Sequence, residues 1–157
     1  MAQKFNIDDT SMDFIFDLCT ALQLPVLTHT GDKRQNFSSP KRIRQVIRKH
    51  PKLILISAHF GGYTVWEESI KYLVGEKVFF DTSSTLWSLP LKTAQEMIEN
   101  HGVENFFFGS DFPMWDHTEE LQCFNQLYLI ESQRQDILYN NAAELLKIGR
   151  ASCRERV

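Results

Sequence analysis

The chain has 157 residues, of which 43% are hydrophobic and 24% charged, a composition typical of a globular domain. No run of 18 apolar residues occurs, which excludes a membrane-spanning helix, and the net charge of −3 argues against nucleic-acid binding. The three cysteines lack the spacing of a metal knot or a disulfide framework, so we expect a reducing, cytoplasmic location.

The first half of the sequence alternates between helical and strand patterns. Residues 8–24 have the 3.6-residue periodicity of a helix, which Pro25 ends. Four apolar side chains share one face of this helix: Phe14, Leu18, Ala21 and Leu22. A strand is predicted over 26–29, a helix over 36–50 with Ser39 as its cap, and a second strand over 52–59.

The same alternation continues through the second half. Helices are predicted over 64–74, 90–100, 118–130 and 132–147, and strands over 77–81 and 105–110. No low-complexity linker interrupts the pattern, which indicates one domain over residues 1–147.

The predicted strands are apolar on both faces and alternate with helices, which predicts an α/β fold with a parallel sheet covered by helices. Such units build either an open, doubly wound sheet or a closed eight-stranded barrel. No Gly-x-Gly-x-x-Gly turn follows any strand, so a dinucleotide-binding fold is disfavoured. A complete barrel takes about 250 residues, and only four units are present here.

The last ten residues, 148–157, break the preceding pattern and turn basic. The segment IGRASCRERV back-translates into a common sequencing adaptor, so we interpret it as a non-native tail and exclude it from the fold.

Each predicted strand ends near an ionisable residue: His29, His59, Asp81 or Asp111. Ligands in parallel α/β folds bind outside the carboxyl ends of the strands. Neutral imidazole and carboxylate are ligands of catalytic zinc and also suit iron or manganese. The alternatives are a structural, hydrogen-bonded histidine at position 29 and a capping role for Asp81 in the turn DTSS.

Five segments carry a resemblance to a known family: LPVLTHTGD, LISAHFGG, VFFDTSS, FFGSDFPMW and ILYNNAAELL. In this order and spacing they resemble the carboxyl-terminal half of an amidohydrolase-superfamily (β/α)8 TIM barrel, strands five to eight. The group they resemble includes aminocarboxymuconate-semialdehyde decarboxylase.

The resemblance implies specific roles for the strand-end residues. His29 matches a metal ligand, and His59 matches a histidine that contacts the substrate or the metal-bound water. Asp111 matches a metal ligand that also takes a proton from that water. We further expect Trp115 and Asp81 to contact the substrate.

The family's first strand carries a His-x-His pair that supplies two more ligands, and no His-x-His occurs in this sequence. We therefore expect the first four strands of the barrel to be missing and this exact chain to be inactive.

The implied function is a metal-dependent hydrolase of a small carbonyl- or carboxylate-bearing molecule, with zinc the favoured cofactor and manganese or iron the alternatives. A non-oxidative decarboxylase is the second interpretation. A non-catalytic half-barrel that self-associates is the third. No nucleic-acid or membrane partner is expected.

Overall fold

A parallel four-stranded sheet lies at the centre of the fold. The computed structural model describes residues 5–148, and the strands lie side by side in the order in which they occur along the chain. Strand bounds are β1 Val26–Thr28, β2 Leu55–Ser57, β3 Phe79–Asp81 and β4 Phe106–Phe107. All three pairings are parallel, which confirms the predicted α/β organisation. Each strand is shorter than its apolar run in the sequence.

Helices connect the strands and continue beyond the last one. Their bounds are α1 Asp13–Ala21, α2 Pro40–Lys49, α3 Trp66–Tyr72, α4 Leu91–His101, α5 His117–Phe124, α6 Glu131–Gln135 and α7 Asn141–Leu146. Because the strands are parallel, their four carboxyl ends lie along the same edge of the sheet. The segments that follow these ends carry the candidate site residues.

The core packs the sheet against its helices. The predicted stripe of α2, formed by Ile43, Val46 and Ile47, is buried as expected, and so are Ala94, Met97 and Ile98 of α4. Beneath the site, the rings of Phe80 and Phe106 lie 5.4 Å apart and the ring of His101 stacks on Phe80 at 4.2 Å. This aromatic layer gives the strand ends a rigid base.

The face of α1 is a correction to the sequence-based expectation. The predicted stripe lies outward: Phe14 is 74% exposed, and Leu18 and Leu22 are also exposed. The buried aromatic residue of α1 is Phe16 instead, which is 2% exposed and packs edge-on against His50. The reason is position, because α1 leads into the edge strand β1 and no described element covers its outer face.

The carboxyl-terminal helices also differ from the prediction. Helix α5 ends at Phe124 rather than near residue 130, and the chain then turns back. The guanidinium group of Arg134 donates to the carbonyls of Leu127 and, at 3.5 Å, Phe124, which satisfies the backbone acceptors of this turn. A π-helical turn, Asp136–Asn140, separates α6 from α7.

The predicted tail, residues 148–157, lies outside the described residues except for Ile148 and stays a prediction. No helix in the described part of the chain combines the length and hydropathy that crossing a bilayer requires.

Candidate active site

The four predicted strand-end residues all lie at the carboxyl edge of the sheet. Asp81 is the last residue of β3, and His29 directly follows β1. His59 lies two residues beyond β2, and Asp111 lies four residues beyond β4.

His29 and His59 are in direct contact. His29 Nδ1 lies 3.0 Å from His59 Nε2, and the two rings meet edge-on with centroids 4.8 Å apart. Tyr63 lies against both rings, with centroids 5.8 Å from His29 and 5.4 Å from His59. The structure therefore brings together two imidazoles that are 30 residues apart in the sequence.

His59 sits in a strained turn. Its φ is 63°, and Phe60 and Gly61 follow with φ values of 53° and 68°. A side chain at Gly61 would place Cβ 2.5 Å from Phe80 Cε1, so only glycine fits there. Left-handed backbone at a non-glycine residue is uncommon and is maintained by surrounding contacts.

Asp81 supplies those contacts. Its Oδ1 accepts hydrogen bonds from His59 N at 2.9 Å, Ser83 N at 3.0 Å and Ser83 Oγ at 2.6 Å. The carboxylate thus caps the turn DTSS. It also ties that turn to His59.

Ser83 completes the surroundings of His59. Its carbonyl oxygen and its hydroxyl oxygen each lie 3.0 Å from His59 Nδ1. Metal-binding histidines in proteins are commonly oriented by a hydrogen bond from the other ring nitrogen to a carbonyl.

Asp111 forms the far side of the site. Its backbone is left-handed, with φ 60°, and its Oδ2 accepts a hydrogen bond from Ser84 Oγ at 2.8 Å. Trp115, which we expected at the substrate pocket, stacks on Trp87 with ring centroids 5.5 Å apart. Trp87 in turn donates to the carbonyl of Ser84 at 3.0 Å, so both tryptophans lie beside the segment that holds Asp111.

The histidine pair and Asp111 lie at the same edge of the sheet and are linked through the adjacent residues Ser83 and Ser84. Among residues 5–148, no group of three His, Cys, Asp or Glu side chains is arranged to hold a metal ion.

The surroundings of His29 lower the pKa of its imidazole. Partial burial of its ring lowers the pKa of His29, and the neighbouring His59 lowers it further. The backbone of Gly31 and the charges of Asp32 and Asp111 act on this pKa in the opposite direction. A lowered pKa favours the neutral imidazole, which is the form that binds a metal.

Glu120 is a residue that the sequence analysis missed. It lies on α5 with 4% of its surface exposed, and Oε2 has no hydrogen-bond partner among the described residues. Burial, followed by the charges of Asp111 and Asp81, raises its pKa to about 7. In the sequence Glu120 is one of several acidic residues in the first turn of a helix. Its burial depends on the tertiary fold and could not be predicted from that pattern.

Comparison with known proteins identifies the family. A family model described as amidohydrolase matches residues 5–148. No curated protein matches the sequence.

Solved structures share the fold. An uncharacterised TIM-barrel protein from Bordetella bronchiseptica has a TM-score of 0.76 and 22% identity, covering 94% of this chain and 54% of its own. A dihydroxybenzoic acid decarboxylase from a Polaromonas species, solved with bound manganese and the inhibitor 2-nitroresorcinol, has a TM-score of 0.72 and 18% identity, covering 96% and 58%.

A Pseudomonas putida protein, provisionally assigned as a 2-pyrone-4,6-dicarboxylic acid hydrolase, has a TM-score of 0.71 and 17% identity, covering 94% and 60%. The chain therefore spans a little more than half the length of the structures that it matches.

Proposed function

Because the chain belongs to the amidohydrolase family, we propose that it forms strands five to eight of a metal-dependent (β/α)8 hydrolase. Four parallel strands in sequential order support this assignment, since a barrel is built from consecutive parallel neighbours. The covered share of the three structures described above, 54% to 60%, is also what half a barrel would give.

The proposed metal-binding residues are His29 and Asp111, with His59 beside them. Their chemistry suits zinc, manganese or iron, since all three bind imidazole and carboxylate. Zinc remains our first choice and manganese the nearest alternative, because the similar Polaromonas decarboxylase binds manganese.

A divalent ion at this position would supply Lewis-acid chemistry and lower the pKa of a coordinated water towards about 7. Asp111 would act as general base, because the residue is exposed and, within residues 5–148, the hydrogen bond to its carboxylate is the one that Oδ2 accepts from Ser84. His59, held in place by Asp81 and Ser83, would contact the substrate. Trp115 would form one wall of the pocket and Asp81 would support the substrate site from beneath His59.

The described residues supply too few ligands for a complete catalytic site. Catalytic zinc usually has three protein ligands, whereas His29 and Asp111 provide two. We therefore propose that residues 5–148 alone have no hydrolase activity and that activity requires a second half-barrel.

The test is complementation. The chain would be co-expressed with the amino-terminal half of an amidohydrolase barrel that carries a His-x-His strand, and the complex would be assayed for bound metal and for hydrolysis of small carboxylate esters and lactones. We expect about one metal ion per complex, and loss of activity in Asp111→Asn with Asp136→Asn as the matched control. A metal-free complex, or full activity in Asp111→Asn, would reject the proposal.

A decarboxylase is the second candidate. The similar structures include several decarboxylases, among them the Polaromonas enzyme and a 2,6-dihydroxybenzoate decarboxylase from Rhizobium. Release of carbon dioxide from dihydroxybenzoates, without incorporation of oxygen from water, would favour this reaction over hydrolysis.

A self-associating, non-catalytic half-barrel is the third candidate. The exposed apolar face of α1 favours it, because such surfaces on a monomer commonly mark interfaces.

A further inference from the structure

The hydrogen bonds around His59 determine which of its ring nitrogens carries the proton. Ser83 O, 3.0 Å from His59 Nδ1, is a carbonyl and can only accept. Ser83 Oγ, also 3.0 Å from Nδ1, already donates its hydrogen to Asp81 Oδ1 at 2.6 Å. Both Ser83 oxygens are therefore acceptors towards the ring, so His59 Nδ1 must be the donor.

This assignment passes from His59 to His29. A neutral imidazole has one N–H, so His59 Nε2 carries a lone pair and accepts. The atom that it faces at 3.0 Å is His29 Nδ1, which must then donate. In the neutral ring of His29 the lone pair is consequently on Nε2.

We propose that Asp81 and Ser83 are positioning residues that set the tautomer of His59 and, through it, the tautomer of His29, which leaves the lone pair of His29 on Nε2. The two tautomers follow from the hydrogen bonds alone, whereas a cation as the partner of that lone pair rests on the proposed function.

Asp81 is the anchor of this arrangement. Its single oxygen Oδ1 holds the N–H of left-handed His59 and both donors of Ser83. Without that carboxylate, the backbone of His59 could relax so that Nδ1 moves away from the Ser83 carbonyl, and the Ser83 hydroxyl could turn its hydrogen towards the ring. The direction of the His59 proton would then no longer be fixed.

His101 provides an internal reference of the opposite kind. Gly75 N donates to His101 Nδ1 at 2.9 Å, and His101 Nε2 lies 2.8 Å from the carbonyl of Val78. His101 must therefore carry its proton on Nε2. One folded chain is expected to contain both tautomers at defined positions.

The test is long-range ¹H–¹⁵N correlation of the histidine rings in the metal-free chain at pH 8. We expect His59 and His29 to be protonated on Nδ1, and His101 on Nε2. His59→Ala should return His29 to the Nε2-protonated form that predominates for unconstrained imidazole in water, with His101 unchanged. Asp81→Ala should reduce the Nδ1-protonated fraction of His59, and Asp81→Asn, whose amide oxygen still accepts, should restore it.

Protonation of His59 or His29 on Nε2 in the unaltered chain would overturn the proposal. So would a His29 tautomer that stays the same in His59→Ala. If Asp81→Ala does not fold, these two observations still decide the matter. Failure to bind a cation, with the expected tautomers present, would reject the proposed function and leave the positioning roles intact.

Discussion

Glu120 is a buried carboxyl group on α5 with no hydrogen-bond partner for its Oε2 among residues 5–148. Desolvation opposes its ionised form, and the negative charges of Asp111 and Asp81 add to the effect. The result is a carboxyl group that is partly protonated near neutral pH and lies close to the proposed base.

The raised pKa of Glu120 makes folding stability depend on pH. The pKa rises from 4.5 in the unfolded chain to about 7 in the folded one. The folded state therefore binds more protons between these values, and stability falls as the pH rises. Between pH 5 and pH 8 the free energy of unfolding should therefore fall by about 1–3 kcal/mol less in Glu120→Gln than in the unaltered chain, as measured by urea denaturation.

Glu119→Gln is the matched control, because Glu119 is the exposed neighbour on the same helix. It should leave the pH dependence unchanged. An identical pH slope for the unaltered chain and Glu120→Gln would show that Glu120 is ionised in the folded state.

At the scale of single elements, α1 shows that a sequence pattern can predict a helix without predicting which of its faces is buried. Its periodicity correctly predicts a helix, yet the apolar face that the pattern selects is the one that lies outward. The buried contact is made by Phe16, which packs on His50. The ring of His50 is also hydrogen-bonded to Asp13 and Asp17 of α1. Polar contacts therefore help to set the orientation of α1.

Two phenylalanines on α1 give a direct test of this orientation. Phe16→Ala should destabilise the chain by about 3–5 kcal/mol, because it creates a cavity in the core. Phe14→Ala should cost less than about 0.5 kcal/mol, because a surface substitution loses few contacts. Chemical denaturation of both variants measures the difference, and equal losses would mean that α1 buries a different face.

Sequence signals predicted helices and strands well where the residues that determine an element lie within that element. Pro40 begins α2 as expected, and the buried stripe of α2 matches its pattern. The end of α5 involves a contact from further along the chain, because Arg134, ten residues beyond Phe124, donates to the carbonyl of Phe124 at 3.5 Å.

The same distinction applies to the candidate site. The rule that ligands gather at strand ends predicted His29 and His59 at one edge of the sheet, and in the structure their rings are in contact. It could not indicate Ser83 or Glu120, whose roles depend on how loops and α5 fold over the sheet.

At the scale of the whole molecule, apolar side chains are exposed at both ends of the sheet. Phe14, Leu18, Leu22 and Leu27 are exposed near the β1 edge, and Tyr139 and Leu146 are exposed on the helical segments that follow β4. The outer edges of β1 and β4 also have no strand partner among the described residues. Unpaired strand edges and apolar surface together favour association.

We therefore expect the purified chain to self-associate in a concentration-dependent manner in sedimentation velocity. Leu18→Lys should shift the distribution towards monomer with little loss of stability, because Leu18 is exposed. Glu96→Lys, an exposed change on α4, is the control and should have no such effect. A monomer at every concentration would contradict this expectation.

The central claim is that His29 and Asp111, with His59 beside them, form the protein side of a divalent metal site. Paramagnetic broadening of the histidine ring signals by Mn²⁺ tests it most directly, because it locates even weak binding. We expect the signals of His29 and His59 to broaden at Mn²⁺ concentrations that leave His101 sharp. Asp111→Asn should raise the required concentration by about tenfold or more. Equal broadening of His29 and His101, or no effect of Asp111→Asn, would contradict the assignment.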